Sequence, residues 1–522
     1  MLSVRGHRHL RLVLWCLPGY LFCFLVGLFT VAVFRALLAP APSRPPPCKE
    51  IDADFISESA RHLSTRLAQA LKIRTITRGE RDYDGEPLLE FHRFIEQTFP
   101  HVHSSPLVKV ETVSNYSLLY HVRGSNPTLT PYMLCGHLDV VPVVEKEWRH
   151  PPFGGKVIDG EIWGRGAIDA KDIVMGIMEA LEFLLENGHQ PRRTFYLAFG
   201  HDEEGSGLDG AYHVGKLLES RGLHFEYILD EGVMIMNDTF PGVPIPIAMV
   251  GVSEKGYLTF KMTAYGPIIH TAVPPRETSI VKLSKAAARF HSQVHPSLFG
   301  KGIEMRMFEI IGHHASFWMK IVFLNTWLFG PLISWAMSMN SVMDSIIRTV
   351  SAVTIVKGGI KENVCPGEAH VYVNQRIHPL NTIAEVMEYN RYIVRDLNVS
   401  FEVTTAMEPH AISPYDDHAF GFQMITNSVH SILPQAAVVP ALCMGSTDSK
   451  HYLNLSQAIY RFSPANINPK QAKRFHGNNE RISVWNYERV VNFYKHLILS
   501  SDTDKVHNLE TSRKSGHGTN YV

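Results

Sequence analysis

Cysteine is scarce in this chain, six among 522 residues and none in a CxxC pair. That excludes a disulfide scaffold and a zinc ribbon. An excess of either charge is missing too, because 50 Lys and Arg offset 50 Asp and Glu. A nucleic-acid binder needs a basic face, so nucleic acid is excluded as a partner. With 45% hydrophobic and 19% charged residues the chain is globular rather than disordered. A large enzyme or a large binding protein remains, of about two to four units by length.

Long apolar runs are few. Residues 12–34 are uncharged, preceded by Arg5, Arg8 and Arg11 and closed by Arg35. As a helix this run reaches about 35 Å, enough to cross a bilayer and longer than the apolar stretch of a typical signal. Thr30, Val31 and Ala32 still offer a small-residue cleavage pattern. Two readings stand, a cleaved secretory signal or a single-pass anchor, and both put the body in the lumen or outside. The segment PAPSRPPP at 40–47 reads as an extended spacer that completes a targeting unit over 1–50. Sequons at Asn115, Asn237, Asn398 and Asn454 agree with a secreted glycoprotein. The second run, 317–337, holds three Trp and one charge, Lys320. Lys320, Asn325 and Gly330-Pro331 argue against a second span. Ordinary lid core or a dimer interface is the plain expectation. The alternative is an apolar wall or membrane-facing surface that accepts an acyl chain.

From residue 51 the pattern alternates. Segments 131–136, 193–199 and 225–229 read as strands, and 169–187 as a helix with Ile173, Ile177, Leu181 and Leu184 on one face. This predicts an α/β sheet with ligands at the carboxyl ends of its strands. Five segments place polar residues there. His137 and Asp139 in GHLDVVP alternate to one side of an extended chain. Alone they read as a surface pair, and Asp169 in GRGAIDAKD reads as a helix cap. Glu203 and Glu204 in GHDEEGSG, and Asp230 in LDEG, crowd acids that repel unless solvated or gathered around a cation. His476 in RFHGNNE adds a late imidazole. Together they have the composition of a two-metal site with nitrogen and oxygen ligands. Gly205 to Gly210 also fits the dinucleotide pattern GxGxxG, but the acids just before it would meet a pyrophosphate with negative charge.

The five motifs, in this order and spacing, resemble the M20 metallopeptidases. The segments PPRETSI (274–280) and QRIHP (375–379) resemble the branch that makes and cleaves N-fatty-acyl amino acids. The resemblance implies a zinc-exopeptidase-like catalytic domain in two parts, 51–252 and 409–500. An inserted α+β, ferredoxin-like lid that can dimerise would occupy 253–408, and a polar tail with the composition of a disordered segment follows at 501–522. It implies two Zn2+ per subunit: His137 and Asp230 on one, Glu204 and His476 on the other, Asp169 bridging. Asp139 would orient His137, Glu203 would be the general base and His270 would stabilise the oxyanion, reaching into a partner subunit. Asn363, Arg376 and Lys450 would hold the substrate. The implied activity is reversible hydrolysis and synthesis of N-fatty-acyl amino acids, with association at a membrane or lipoprotein surface. A generic carboxydipeptidase or short-chain aminoacylase is the alternative, and a silent binding protein on the same fold is another. Two departures bear on these: Ile268 and Ile269 stand where the family has glycines, and Lys450 where it has Arg, so the planar fork is lost.

Overall fold

Strands such as Tyr132–His137 and Phe195–Gly200, buried at every position, need cover on both faces, and helices supply it. In the computed structural model, which describes residues 3–40 and 55–503, they lie near the middle of an eight-stranded sheet. Residues 41–54, with the spacer beyond Pro40, and the tail beyond 503 lie outside the described residues. The order is Ala437–Cys443, Ile247–Glu254, Ile459–Ile467, Ile228–Met236, Tyr132–His137, Phe195–Gly200, Ser117–Val122, Val108–Val113. The four strands from Ile459–Ile467 to Phe195–Gly200 run parallel, so their carboxyl ends share one edge.

The expected helix forms as Lys171–Glu186. Ile173, Ile177, Leu181 and Leu184 are all buried, wedged between the sheet and the carboxyl-terminal helix Val484–Ser500. A Cβ at Gly176 would come within 2.7 Å of Val490, so the glycine permits this close crossing. Asp169 lies outside the helix, whose N-cap is Ala170. The third strand departs from the sequence reading: it runs Ile228–Met236, so Asp230 and Glu231 lie inside it rather than at its end.

The lid alternates β-α-β-β-α-β and forms an antiparallel sheet ordered Val350–Gly358, Glu368–Ile377, Gly256–Tyr265, Val399–Met407. Helices Ser279–Ser292 and Ile383–Ile393 close its own core of Leu258, Phe260, Phe290, Val371, Val373 and Val386. A capping box of Thr382 and Glu385 starts the second helix. Between the first helix and the next strand lie four more: Glu304–His314, Phe317–Phe323, Thr326–Ser338 and Ser341–Ile347. They do not build the lid core, which corrects that part of the expectation for the second apolar run. Phe308, Ile311, Phe323 and Ile333 pack instead on Phe240, Val243, Ile247 and Val439 of the body. Lys255 fastens this cluster by donating to the carbonyls of Ser345 (2.7 Å) and Arg348 (2.8 Å).

Candidate metal centre and active site

The shared strand edge gathers the polar residues. His137 ends its strand with Nδ1 3.0 Å from the Asp139 carbonyl and 3.3 Å from its carboxylate. An imidazole donating from Nδ1 turns the lone pair of Nε2 outward. That Nε2 lies 3.2 Å from Asp169 Oδ1 and 3.3 Å from Glu231 Oε1. On the other side of Asp169, His476 Nε2 lies 2.8 Å from Oδ2 and 3.2 Å from Glu204 Oε2. Two triads, His137-Asp169-Glu231 and Asp169-Glu204-His476, therefore share one carboxylate, and a third grouping brings Glu203 and Glu204 to His137. The Asp139 carboxylate also accepts the backbone N–H groups of Glu203 and Glu204, both at 3.1 Å. It thereby sets His137 and the Glu203-Glu204 turn relative to each other.

Charge in this cluster is unbalanced. Burial opposes a charge on His137, yet the carboxylates of Glu231, Asp139 and Asp169 overcome it and hold its pKa well above the usual range. Burial likewise disfavours ionised Asp169, but hydrogen bonds from His137 and His476 win and lower its pKa. Burial pushes Glu231 up to about 7 against the pull of His137. Burial and the Glu231 charge raise Glu203 well above the carboxylate range. Hydrogen bonds to Asp169 and Glu204 lift His476 to about 10. Glu204 Oε1 is buried without a hydrogen-bond donor, and Asp169 Oδ2 faces the His476 ring nitrogen. Crowded carboxylate oxygens flanked by imidazoles fit divalent cations with nitrogen and oxygen preferences.

One expected ligand is misplaced, and Glu231 takes its position. Asp230 turns away: its carboxylate accepts the N–H of Ser449 (2.8 Å) and of Glu231 (2.9 Å). The cause is a bulge. The ladder pairs Asp230 with Arg461 but Val233 with Phe462, leaving Glu231 and Gly232 unpaired. Gly232 has φ +152°, and a Cβ there would sit 2.5 Å from that of Arg461. Bulges re-aim side chains beside sites in this way. A second pair escaped sequence reasoning: Arg165 Nη1 donates to Glu480 Oε2 at 2.6 Å, both residues buried. Glu480 also accepts the Ile168 N–H at 2.8 Å, and Arg165 donates to the His476 carbonyl at 3.2 Å. This pair ties the Asp169 loop to the His476 loop; its signal was the acid closing RFHGNNE opposite the Arg of GRGAID. The GxGxxG glycines make room for carboxylates instead of a nucleotide. Asp202 accepts the N–H of Asp209 and Gly210 at 2.8 Å each, and Gly207 lies against Asp448.

The model of peptidase family M20/M25/M40 matches residues 133–500. The chain belongs to this family. Among its relatives, N-fatty-acyl-amino acid synthase/hydrolase PM20D1.1 of Danio rerio is 44% identical over 457 residues, 87% of this chain and 88% of that protein. The Homo sapiens N-fatty-acyl-amino acid synthase/hydrolase PM20D1 is 41% identical, covering 87% and 91%. Carboxypeptidase S of Saccharomyces cerevisiae is 30% identical, covering 83% of each. The fold is that of the M20 metallo-carboxypeptidase Sso-CP2 from Sulfolobus solfataricus, with a TM-score of 0.60 at 15% identity over 84% of this chain and 98% of that one.

In this M20 member the lid residues make local contacts. His270 is exposed on a two-residue strand that pairs with Val364–Cys365, which places it beside Asn363. Its Nδ1 accepts the Ala272 N–H at 3.0 Å, and the Asn363 carbonyl accepts that of Thr271 at 3.3 Å. Asn363 Oδ1 is buried and unpartnered. Arg376 lies across the lid sheet from Tyr257 and Val350. Burial, aided by the Arg376 charge, lowers Lys255 to about 7. Lys450 follows the buried Asp448 on a short turn of the body.

Proposed function

We propose that this protein is a dizinc amidohydrolase and synthase that cleaves and forms N-fatty-acyl amino acids. The observation that carries the chemistry is the shared Asp169, which joins the His137-Asp169-Glu231 and Asp169-Glu204-His476 triads, with the half-buried Glu203 beside His137 and Glu204. The substrate class rests on the 44% identity to the Danio rerio enzyme over most of both chains.

His137, Glu231, Asp169, Glu204 and His476 would hold the metals. When bound, two cations supply Lewis acidity, polarising an amide carbonyl and lowering the pKa of water from about 15.7 toward 7. Asp139 fixes the His137 tautomer and the Glu203 turn. Glu203 removes a proton from the attacking water and returns it to the departing amine. Its raised pKa suits that shuttle, and microscopic reversibility gives synthesis at the same site. His270 would steady the oxyanion from a partner subunit, because it is exposed on its own lid. Arg376 would pair with the amino-acid carboxylate bidentately, with Asn363 and Lys450 completing the grip. A homodimer through the lid fits the edge strand Val350–Gly358, which exposes Val353, Ile355 and Val356. Secretion, or anchorage by the amino-terminal helix with a lumenal body, and association with a membrane or lipoprotein surface complete the reading.

Hydrolysis of N-oleoyl-phenylalanine by the purified full chain tests it, with short dipeptides alongside. Preference for the oleoyl substrate is expected. Preference for dipeptides favours a carboxydipeptidase, the reading that the likeness to carboxypeptidase S supports.

A further inference from the structure

The amino-terminal helix does not stand clear of the body. Ala32 and Ala36 are buried against Ile321, with Val33, Leu328 and Phe329 around them. Asn325, itself buried, donates from Nδ2 to the Ala32 carbonyl at 3.0 Å and to the Ile321 carbonyl at 2.8 Å. Trp327 Nε1 then donates to Asn325 Oδ1 at 3.0 Å. Small residues with one polar side chain across the contact are the means by which helices associate in lipid.

Several large apolar side chains on both elements are uncovered, although Phe323, Ile333 and Met337 pack on the body. Gly19–Leu38 has the length and composition of a membrane span. Tyr20, Phe22, Phe24 and Leu25 on it are exposed. On the helical pair Phe317–Phe323 and Thr326–Ser338, Trp318 is 68%, Trp327 48% and Trp335 62% exposed. The two helices bend by 99°. At 7 and 13 residues they reach about 10 and 20 Å, too short for either to cross some 30 Å of hydrocarbon. Ala32 lies six residues from Leu38, about 9 Å along the axis, within the depth of one leaflet. A cavity of about 810 Å3 opens at the junction, lined by apolar Phe34, Leu38 and Phe323 together with Arg35 and the Arg306-Glu309 ion pair.

We propose that the amino-terminal helix and the 317–338 helical pair form one lipid-embedded unit, the helix crossing the bilayer and the pair lying in its lumenal leaflet. The occupant of the Trp face is the bilayer, because the same plane that solvates Tyr20 to Leu38 must meet the pair docked on it. Arg5, Arg8 and Arg11 orient the helix with its amino end in the cytosol. This deepens the surface association proposed above and does not depend on catalysis.

The test is tryptophan fluorescence of the full chain in phosphatidylcholine vesicles, in a Trp15→Phe/Trp485→Phe background that removes the exposed body tryptophan, with brominated lipids and with aqueous iodide. Strong bromolipid quenching, protection from iodide, and loss of most of that quenching in W318F/W327F/W335F are expected. Quenching by iodide would overturn the proposal. Protection from both quenchers would also overturn it and point to a second copy of the chain covering the face. Hydrolysis of a water-soluble acetyl amino acid, measured in the same vesicles, reports separately on the catalytic reading.

Discussion

At the scale of single residues, two adjacent acids have different tasks. Glu231→Ala removes a side chain from the His137-Asp169 triad, so the account expects metal content to fall from two ions to one and activity by more than about 100-fold. Asp230→Ala leaves the amides of Ser449 and Glu231 without an acceptor. It is expected to keep both metals while losing about 1–3 kcal/mol of stability. Elemental analysis with a denaturation curve separates the two variants. Protons also compete for this site. The Glu231 carboxyl, held up to about 7, is protonated below that value, so a cation must displace the proton. Metal affinity should therefore fall as the pH drops from about 8 to about 6, and competition with a chelator of known affinity measures it.

Among the elements, the loops carrying Asp169 and His476 are joined by the buried Arg165-Glu480 pair. Burial pushes Glu480 up to about 7 even beside that guanidinium. Glu480→Ala strands a buried charge and frees the two loops. A loss of about 3–5 kcal/mol is expected from the midpoint of chemical denaturation, with weakened metal binding. His137, Glu203, Glu204 and His476 were legible because strand ends and turns expose chemistry in recognisable motifs. Glu231 was not, because alternation assigns faces only in an unbroken ladder, and the bulge at Glu231-Gly232 is a tertiary response to Arg461. The 317–338 helices were legible as apolar but not in their placement: composition says that a face must be covered, not by what.

For the whole molecule, the lid and body have separate cores, and His270 sits exposed far along the chain from the ligands it is proposed to assist. If His270 serves the partner's site, co-expressed Glu203→Gln and His270→Ala chains should recover activity that neither has alone. Random pairing makes half the dimers mixed, each with one intact site of two, so about one quarter of wild-type activity is expected. No recovery would place His270 in its own subunit's site.

The central claim is that Glu203 moves the proton while the five neighbours hold the metals. It is tested most directly by measuring metal content and N-oleoyl-phenylalanine hydrolysis in the same preparations of wild type and Glu203→Gln. The account expects about two metals in each, and activity lower by about 10²–10⁴-fold in the variant. Equal activity in the two, or a fully loaded wild type that cleaves no acyl amino acid, would contradict it.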